Sequence, residues 1–301
     1  MESFYLILSY IIIGLLLRRV KTMPENTSMA LNAYVLNVAL PALILKNMPL
    51  LSFSSALFIP AITPWFLLVF VICLTLFLSK MLHWSREVTG ALLIILPLGN
   101  TSFLGFPMTE ALFGQQGMPY AVVYDQLGSF IALATYATIV AAMYSSKVSA
   151  PSLRDIVIKI VTFPSFIALL LGLGLRGASL PDFANSLING LSLTLVPVVM
   201  VAVGFQLSFR FSRAELGPMA TALSIKLMLM PAVAWLLWQV FDQRGLVVDV
   251  SVFQAAMPPM ISAGAIAIMA GLAPRLVSGV IGFGVLLALV TLPIVAWLLG
   301  L

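Results

Sequence analysis

Runs of apolar residues as long as a bilayer is thick recur along the whole 301-residue chain. A helix needs about 20 consecutive, mostly apolar residues to cross the hydrocarbon core of a membrane. The sequence contains ten such segments, the first of them short enough to require tilting or local thinning of the bilayer. They are residues 3–17, 27–45, 58–80, 88–112, 118–144, 156–175, 186–208, 216–240, 247–271 and 277–300. We therefore predict an all-α integral membrane protein with ten transmembrane helices.

The composition excludes an ordinary soluble domain. Only 8% of the residues are charged and 62% are hydrophobic, with a mean hydropathy of +1.14. Soluble domains average about 25% charged residues. In water this chain would leave large apolar surfaces uncovered, whereas in a bilayer the same residues cover the outside of a helix bundle.

The positions of the basic residues predict the orientation. With the N-terminus outside, the outer loops hold only Lys46, Arg176 and Arg244, and Lys226 lies inside a span. Lys and Arg collect in short cytoplasmic loops, so we expect both termini on the non-cytoplasmic side of the cell membrane. This asymmetry also explains the pI of about 9.5 without nucleic acid. The eleven residues assigned to inner loops are Arg18, Arg19, Lys21, Lys80, Arg86, Lys147, Arg154, Lys159, Arg210, Arg213 and Arg275.

Five helices in each half predict an inverted repeat, because a duplicated unit with an odd number of spans inserts upside down the second time. We place the repeats at residues 1–150 and 151–301. Two pairs of segments resemble each other weakly at matching positions. The second spans of the halves read NVALPALIL and SLTLVPVVM, and the fourth spans contain LPLGNTSFLGFP and AAMPPMISAGAIAI.

The fourth span of each half carries helix-breaking residues. Proline removes a backbone donor and clashes with the preceding turn, so carbonyl and amide groups are freed deep in the membrane. Such groups are tolerated only where they face protein or a water-filled cavity. Paired breaks at matching positions indicate a transporter's binding site, and half-helix N-termini attract anions. The alternative is that these residues only kink the spans. They are Pro97, Gly99, Gly105 and Pro107 in span four, and Pro258, Pro259, Gly264 and Gly271 in span nine.

Polar side chains accompany both breaks. Asn100, Thr101 and Ser102 follow the first, and Ser262 follows the second. Their amide and hydroxyl groups can hold a carboxylate or cap the freed backbone.

Two ionisable residues lie deep in predicted spans. Lys226 is near mid-depth in span eight, and Asp125, beside Gln126, is about two turns into span five. Such groups are costly in a membrane and face a cavity or a partner. Lys226 is a candidate to counter an anionic substrate or to pair with Asp125; the alternative is snorkelling along its stem.

Enzymatic chemistry is not indicated. A membrane enzyme, such as a lipid-modifying transferase, usually needs clustered acids, histidines or a metal, and the chain has one His, in a charged loop. No phosphate-binding loop, CxxC or HExxH occurs, so we expect no cofactor and no metal.

The broken segments resemble a known family. LPLGNTSFLGFPMTEALFG is similar to the fourth-helix signature of the auxin efflux carrier family, FQAAMPPMISAGAIAIMAGL to its ninth helix and NVALPALIL to its second. The resemblance covers the whole chain and is strongest to compact bacterial members, some described as malonate or other carboxylate permeases. It implies a fold like those of bile acid/sodium symporters and sodium/proton antiporters, in which broken helices 4 and 9 cross.

The resemblance also implies roles for individual residues. Asn100 and Pro107 match the first broken segment and Pro258 the second, while Asp125 and Gln126 correspond loosely to a polar support site. The acidic residue that plant members place early in their third helix has no match, so proton linkage through it does not carry over. Lys226 has no counterpart that we assign.

We expect a secondary transporter of small organic anions that works by alternating access, with the substrate at the crossing of helices 4 and 9. A ten-helix drug/metabolite exporter and a non-transporting membrane receptor are the alternatives. The sequence leaves open the exact substrate, the coupling ion (sodium and protons are candidates) and the oligomeric state, a homodimer included.

Overall fold

We analysed a computed structural model that describes residues 2–24, 26–51, 54–149, 151–178, 180–207 and 215–301, with side chains from Tyr5 onward. Regular structure in these residues is helical throughout. The predicted inner-loop residues Arg210 and Arg213, and the predicted end of span seven at residue 208, lie outside the described residues.

The α-helices correspond to the apolar runs of the sequence. They are α1 (Glu2–Leu17), α2 (Thr27–Tyr34), α3 (Leu40–Asn47), α4 (Phe58–Met81), α5 (Arg86–Ile95), α6 (Phe106–Tyr124), α7 (Phe130–Ala132), α8 (Thr138–Tyr144), α9 (Leu153–Val161), α10 (Pro164–Gly174), α11 (Asp182–Leu193), α12 (Leu195–Gln206), α13 (Leu216–Ser224), α14 (Met230–Val240), α15 (Leu246–Ala255), α16 (Ile261–Met269) and α17 (Pro274–Leu298).

Six of the described helical stretches are long and apolar enough to cross a membrane, or seven if the bent pair α9–α10 counts as one span. The prediction of an all-α, multi-pass membrane protein is confirmed. Ten spans and the inverted repeat stay predictions. The longest stretch, Thr101–Tyr144, has 44 residues, and its helix is interrupted at Gly114, where φ is 63°. The six stretches are Thr27–Leu50, Ser55–Met81, Thr101–Tyr144, Asp182–Gln206, Leu216–Val240 and Pro274–Leu298.

The predicted continuous span 156–175 is bent instead. Helices α9 and α10 meet at an angle of 57°. Pro164 opens α10, and Phe163 before it is extended, with φ −71° and ψ 124°. A residue that precedes proline is pushed out of the helical region by the proline ring, which explains the bend.

Short π-helical segments interrupt several helices, a feature that the sequence analysis did not foresee. They frequently occur at functional sites. Three of them carry predicted site residues: Thr101 begins one, Asp125 and Gln126 begin another, and Lys226 lies in a third. The described segments are Val35–Ala39, Thr101–Gly105, Asp125–Ser129, Leu133–Ala137 and Ile225–Leu229.

The chain forms two compact units, each drawing on both sequential halves. The first unit comprises Met1–Ser54, Ser102–Val122 and Ile160–Leu207. Within it α1 crosses α12 at Gly14 and Gly204, where a Cβ on Gly204 would lie 2.1 Å from the Ile11 carbonyl oxygen. These two glycines therefore permit a backbone contact that a larger residue would prevent.

The second unit comprises Ser55–Thr101, Val123–Lys159 and Ser208–Leu301. Helix α17 packs closely against other elements of this unit. A Cβ on Gly284 would lie 2.9 Å from Pro259 Cδ, and Ile281 lies against Gly264 of α16. The segment after α15 is thus held closely by α17. The division into repeats at residues 1–150 and 151–301 stays a prediction.

Candidate functional site

Two helices of the second unit break off in the same way. Helices α5 and α15 each have ten residues and each is followed by five non-helical residues, 96–100 and 256–260. The helix and the break together occupy residues 86–100 in the first case and 246–260 in the second. Each position of the first element thus corresponds structurally to the position 160 residues later in the second. We call residues 96–100 and 256–260 together the crossover.

The two halves of the crossover pair as a minimal antiparallel bridge between Gly99 and Pro259. The Asn100 amide donates to the Pro258 carbonyl at 2.7 Å, and the Met260 amide donates to the Leu98 carbonyl at 2.9 Å. Positions 98 and 258, and 100 and 260, are equivalent in the two elements, so the pair of bonds is reciprocal. Backbone groups that would be costly to leave unpaired in a membrane are thereby satisfied.

Another backbone group freed by a proline is satisfied by a side chain. In a regular helix the amide of residue 97 would bond the Leu93 carbonyl, but Pro97 has no N–H. The Tyr136 hydroxyl donates to that carbonyl instead, at 2.9 Å. Sequence analysis missed Tyr136, although a carbonyl four residues before a proline signals the need for such a donor.

The Asp125 carboxylate is buried and held by two neighbours. The Thr101 hydroxyl donates to Oδ1 at 2.5 Å, and Gln126 Nε2 donates to Oδ2 at 2.7 Å. Three predicted site residues thus lie in one hydrogen-bonded cluster.

Helix α4 holds the π-helical segment that carries Asp125. Pro64 fills the space beside Gly128, where a Cβ would lie 2.1 Å from Pro64 Cγ. The Trp65 indole N–H donates to the Leu127 carbonyl at 2.9 Å. Since these contacts fix the backbone two and three residues after Asp125, they set the direction in which its side chain leaves the helix.

The Lys226 ammonium group lies at the crossover. Its Nζ is 3.2 Å from the point that a Cβ on Gly99 would occupy, and it contacts Met230 Sδ at 3.4 Å. Only 1% of Lys226 is exposed, so its side chain does not snorkel to the surface. In the part of the chain that the structure describes, no carboxylate lies within ion-pair distance of Nζ. Gly99 and Met230 were not among the predicted site residues.

Two buried amide atoms near these groups have no hydrogen-bond partner among the described residues. They are Asn100 Nδ2, a donor, and Gln126 Oε1, an acceptor. Lys226 is the one basic residue, and Asp125 the one acidic residue, among the buried side chains that the structure describes. Buried polar groups are normally satisfied, so each exception needs an explanation such as a site for a ligand.

The remaining predicted site residues divide between the two units. Pro258 and Pro259 are buried in the crossover itself, and Ser262 is partly exposed in the first turn of α16. Ser102 and Pro107 belong to the first unit, where Pro107 is buried and Ser102 partly so.

Several membrane-long apolar helices, together with two helix breaks that bond to each other, are typical of multi-pass membrane transporters. Comparison with known proteins agrees with this class. The model of the "Membrane transport protein" family matches residues 1–296. The chain therefore belongs to this family, the auxin efflux carrier family, and is a transporter, not an enzyme.

Two archaeal relatives cover nearly the same length. An uncharacterized transporter of Methanothermobacter thermautotrophicus is 29% identical over 306 residues, which cover 97% of this chain and 96% of the relative. An uncharacterized transporter of Methanocaldococcus jannaschii is 25% identical over 268 residues, covering 86% of this chain and 85% of the relative.

Proposed function

We propose that the chain is a secondary transporter of small organic anions, such as mono- or dicarboxylates and auxin-like acids, and that it works by alternating access. The substrate carboxylate binds at the crossover. One observation carries the proposal: the buried ammonium group of Lys226 lies beside Gly99 and has no carboxylate partner among the residues that the structure describes. A buried charge without a partner is costly, and ionisable groups deep in a membrane protein mark substrate and ion pathways.

The neighbouring groups supply further donors for a carboxylate. Asn100 Nδ2, one residue from Gly99, is buried and has no hydrogen-bond partner in the described part of the chain. The first amides of α16, which include that of Ser262, have no acceptor within their own helix, and helix N-termini favour anions. Lys226 and Asn100 then bind the carboxylate directly, and the start of α16 adds the favourable dipole.

Asp125 and Gln126 have a different role in the proposal. The Asp125 carboxylate is acceptor-only and already receives bonds from Thr101 and Gln126. It repels a second anion and holds the Thr101 hydroxyl in place. Ser102 and Pro107 shape the helix that begins after the first break.

The reciprocal bonds of the crossover support two inverted repeats. A local two-fold relation, with equivalent residues 160 apart, is what duplication of one five-helix unit produces. The proposal also includes ten transmembrane spans, location in the cell membrane and both termini on its non-cytoplasmic side. The coupling ion is left open between sodium and protons, as is assembly into a homodimer.

Uptake into proteoliposomes tests the function. Purified protein is reconstituted and supplied with labelled malonate, lactate and indole acetate. We expect saturable flux of at least one acid, reduced at least tenfold by Asn100→Ala. The matched control is Asn185→Ala, whose amide is exposed and bonds only the nearby Leu180 carbonyl. Absence of saturable flux for any organic acid, or equal flux in Asn100→Ala, contradicts the proposal.

Two alternatives predict other results. A drug/metabolite exporter of the ten-helix type has no matched breaks in its fourth and ninth helices, so the breaks after α5 and α15 argue against it. A non-transporting receptor would bind an acid, with a measurable thermal shift, and show no flux.

A further inference from the structure

A second candidate site lies in the second unit, beside the Ile225–Leu229 segment. It is a cavity of about 440 Å³ between α14, α15 and α17. Leu227, Pro231 and Val252 line it and are buried. Neither Lys226 nor any residue of the crossover lines the cavity. The cavity is therefore separate from the crossover.

Helix irregularities explain why this space is not filled by side chains. Pro231 follows the π-helical segment at the start of α14, and Pro293 lies within α17. Each proline removes a hydrogen bond of the helix and displaces its turns. Because both α14 and α17 are distorted near these prolines, their side chains do not interdigitate as those of regular helices do. A gap is left between the two helices.

The mouth of the cavity is apolar and exposed. Met228 is 67% exposed and Leu298 69%, and Trp235 and Ile294 lie between them along the helices. These residues belong to Leu216–Val240 and Pro274–Leu298, two of the stretches that are long and apolar enough to span a membrane. Exposed apolar side chains on such stretches face the hydrocarbon of the bilayer, not water.

The shape and chemistry of the cavity suit a hydrocarbon chain. Its residues extend from Met228 of the Ile225–Leu229 segment to Trp235 of α14, and from Thr291 to Leu298 of α17, about 10 Å along each helix at 1.5 Å per residue. No residue that lines the cavity is charged, and its polar side-chain atoms are the Thr291 hydroxyl and the Trp235 indole nitrogen. The cavity thus runs along the helices, in the direction in which the acyl chains of lipids lie.

We propose that this cavity binds one acyl chain of a membrane phospholipid. The acyl chain packs on Leu227 and Pro231, which lie one and five residues after Lys226. The site is independent of which anion the protein carries, and its occupant is lipid because the mouth opens where hydrocarbon is the surrounding solvent.

A cavity-filling variant tests the proposal. Ala232→Phe places a ring inside the cavity, whereas Leu236→Phe enlarges an exposed residue of the same helix that does not line it. Native mass spectrometry of detergent-washed protein should find one retained phospholipid per chain in the unmodified protein and in Leu236→Phe, and none in Ala232→Phe. Equal retention in all three proteins, or none in the unmodified protein, overturns the proposal.

Fluorescence in bilayers provides a second readout that does not depend on detergent. Each protein is reconstituted in vesicles of phosphatidylcholine with brominated acyl chains, which quench nearby tryptophans. The contribution of Trp235 is the difference between each protein and its Trp235→Phe counterpart. We expect Ala232→Phe to lower quenching of Trp235 at least twofold and Leu236→Phe to leave it unchanged. The proposal is overturned if Trp235 is not quenched in the unmodified protein. This result is expected if a second copy of the protein, and not lipid, covers the mouth of the cavity.

Discussion

Replacing Lys226 by Met tests two effects of its ammonium group. One is the loss of stability that it causes in the protein without ligand, and the other is its contribution to the affinity for an organic anion. The methionine side chain is apolar and of similar length, so it can follow the path of the lysine stem beside Gly99. It removes a buried ammonium group whose described polar contact is the weak acceptor Met230 Sδ. The variant should therefore be more stable without ligand and should bind organic anions less tightly.

The magnitudes follow from the contacts of Lys226. A hydrogen bond to a charged group contributes about 1.5–3 kcal/mol, which corresponds to a rise in Kd of roughly 10- to 150-fold when it is lost. An unsatisfied buried donor costs about 1–3 kcal/mol, and more when it is charged. Proteins of 150–250 residues gain about 2–4 °C in Tm per kcal/mol, so we expect Lys226→Met to melt at least about 2 °C higher without ligand.

Thermal-shift measurements on purified protein give both quantities. Malonate, lactate and indole acetate are titrated with and without sodium, because a ligand that binds the folded state raises Tm by mass action. Lys159→Met is the matched control, since Lys159 is exposed on α9. It should change neither the Tm of the empty protein nor the ligand-induced shift.

Two results would refute this reasoning about Lys226. An unchanged Kd in Lys226→Met for an acid that stabilises the unmodified protein would show that the ammonium group does not bind the anion. A strong loss of stability without ligand would show that the ammonium group has a structural partner.

Three further substitutions test the surrounding structure. Tyr136→Phe removes the donor to the Leu93 carbonyl and should cost about 1–3 kcal/mol, seen as a lower Tm. Gly204→Ala forces a Cβ against backbone in the first unit and should lower Tm by several degrees, whereas Gly217→Ala, with open space around it, should be neutral or stabilising by up to about 1 kcal/mol. Thr101→Val removes a hydrogen bond to a buried carboxylate and should lower uptake about tenfold or more.

Each of these tests has its own control. Tyr5→Phe changes an exposed phenol and should leave Tm unchanged, so an equal effect at both tyrosines contradicts the role of the Leu93 bond. For the glycines, the Tm of Gly204→Ala should be lower than that of Gly217→Ala. The opposite order contradicts the close contact of α1 and α12. Thr101→Ser keeps the hydroxyl and should retain most of the uptake; a loss as large as that of Thr101→Val would contradict the assignment of the effect to the hydrogen bond with Asp125.

Sequence patterns were sufficient for features that depend on local chemistry. Pro97, Pro258 and Pro259 cannot donate a backbone hydrogen bond in any fold, so the breaks after α5 and α15 were foreseen. The partners of the freed groups were not, because Tyr136 lies 43 residues from Leu93. The π-helical segments escaped prediction as well, since Asp125 and Lys226 lie in sequences that read as ordinary apolar helix.

The sequence by itself determined that the chain is a helical membrane protein with two broken segments, since bilayer thickness and proline chemistry act locally along the chain. Only the tertiary structure decided that the breaks bond each other, that Thr101 donates to Asp125, and that Lys226 lies beside Gly99. These contacts join residues far apart in sequence. Their geometry depends on how the helices of the second unit pack and on where π-helical turns shift the side chains.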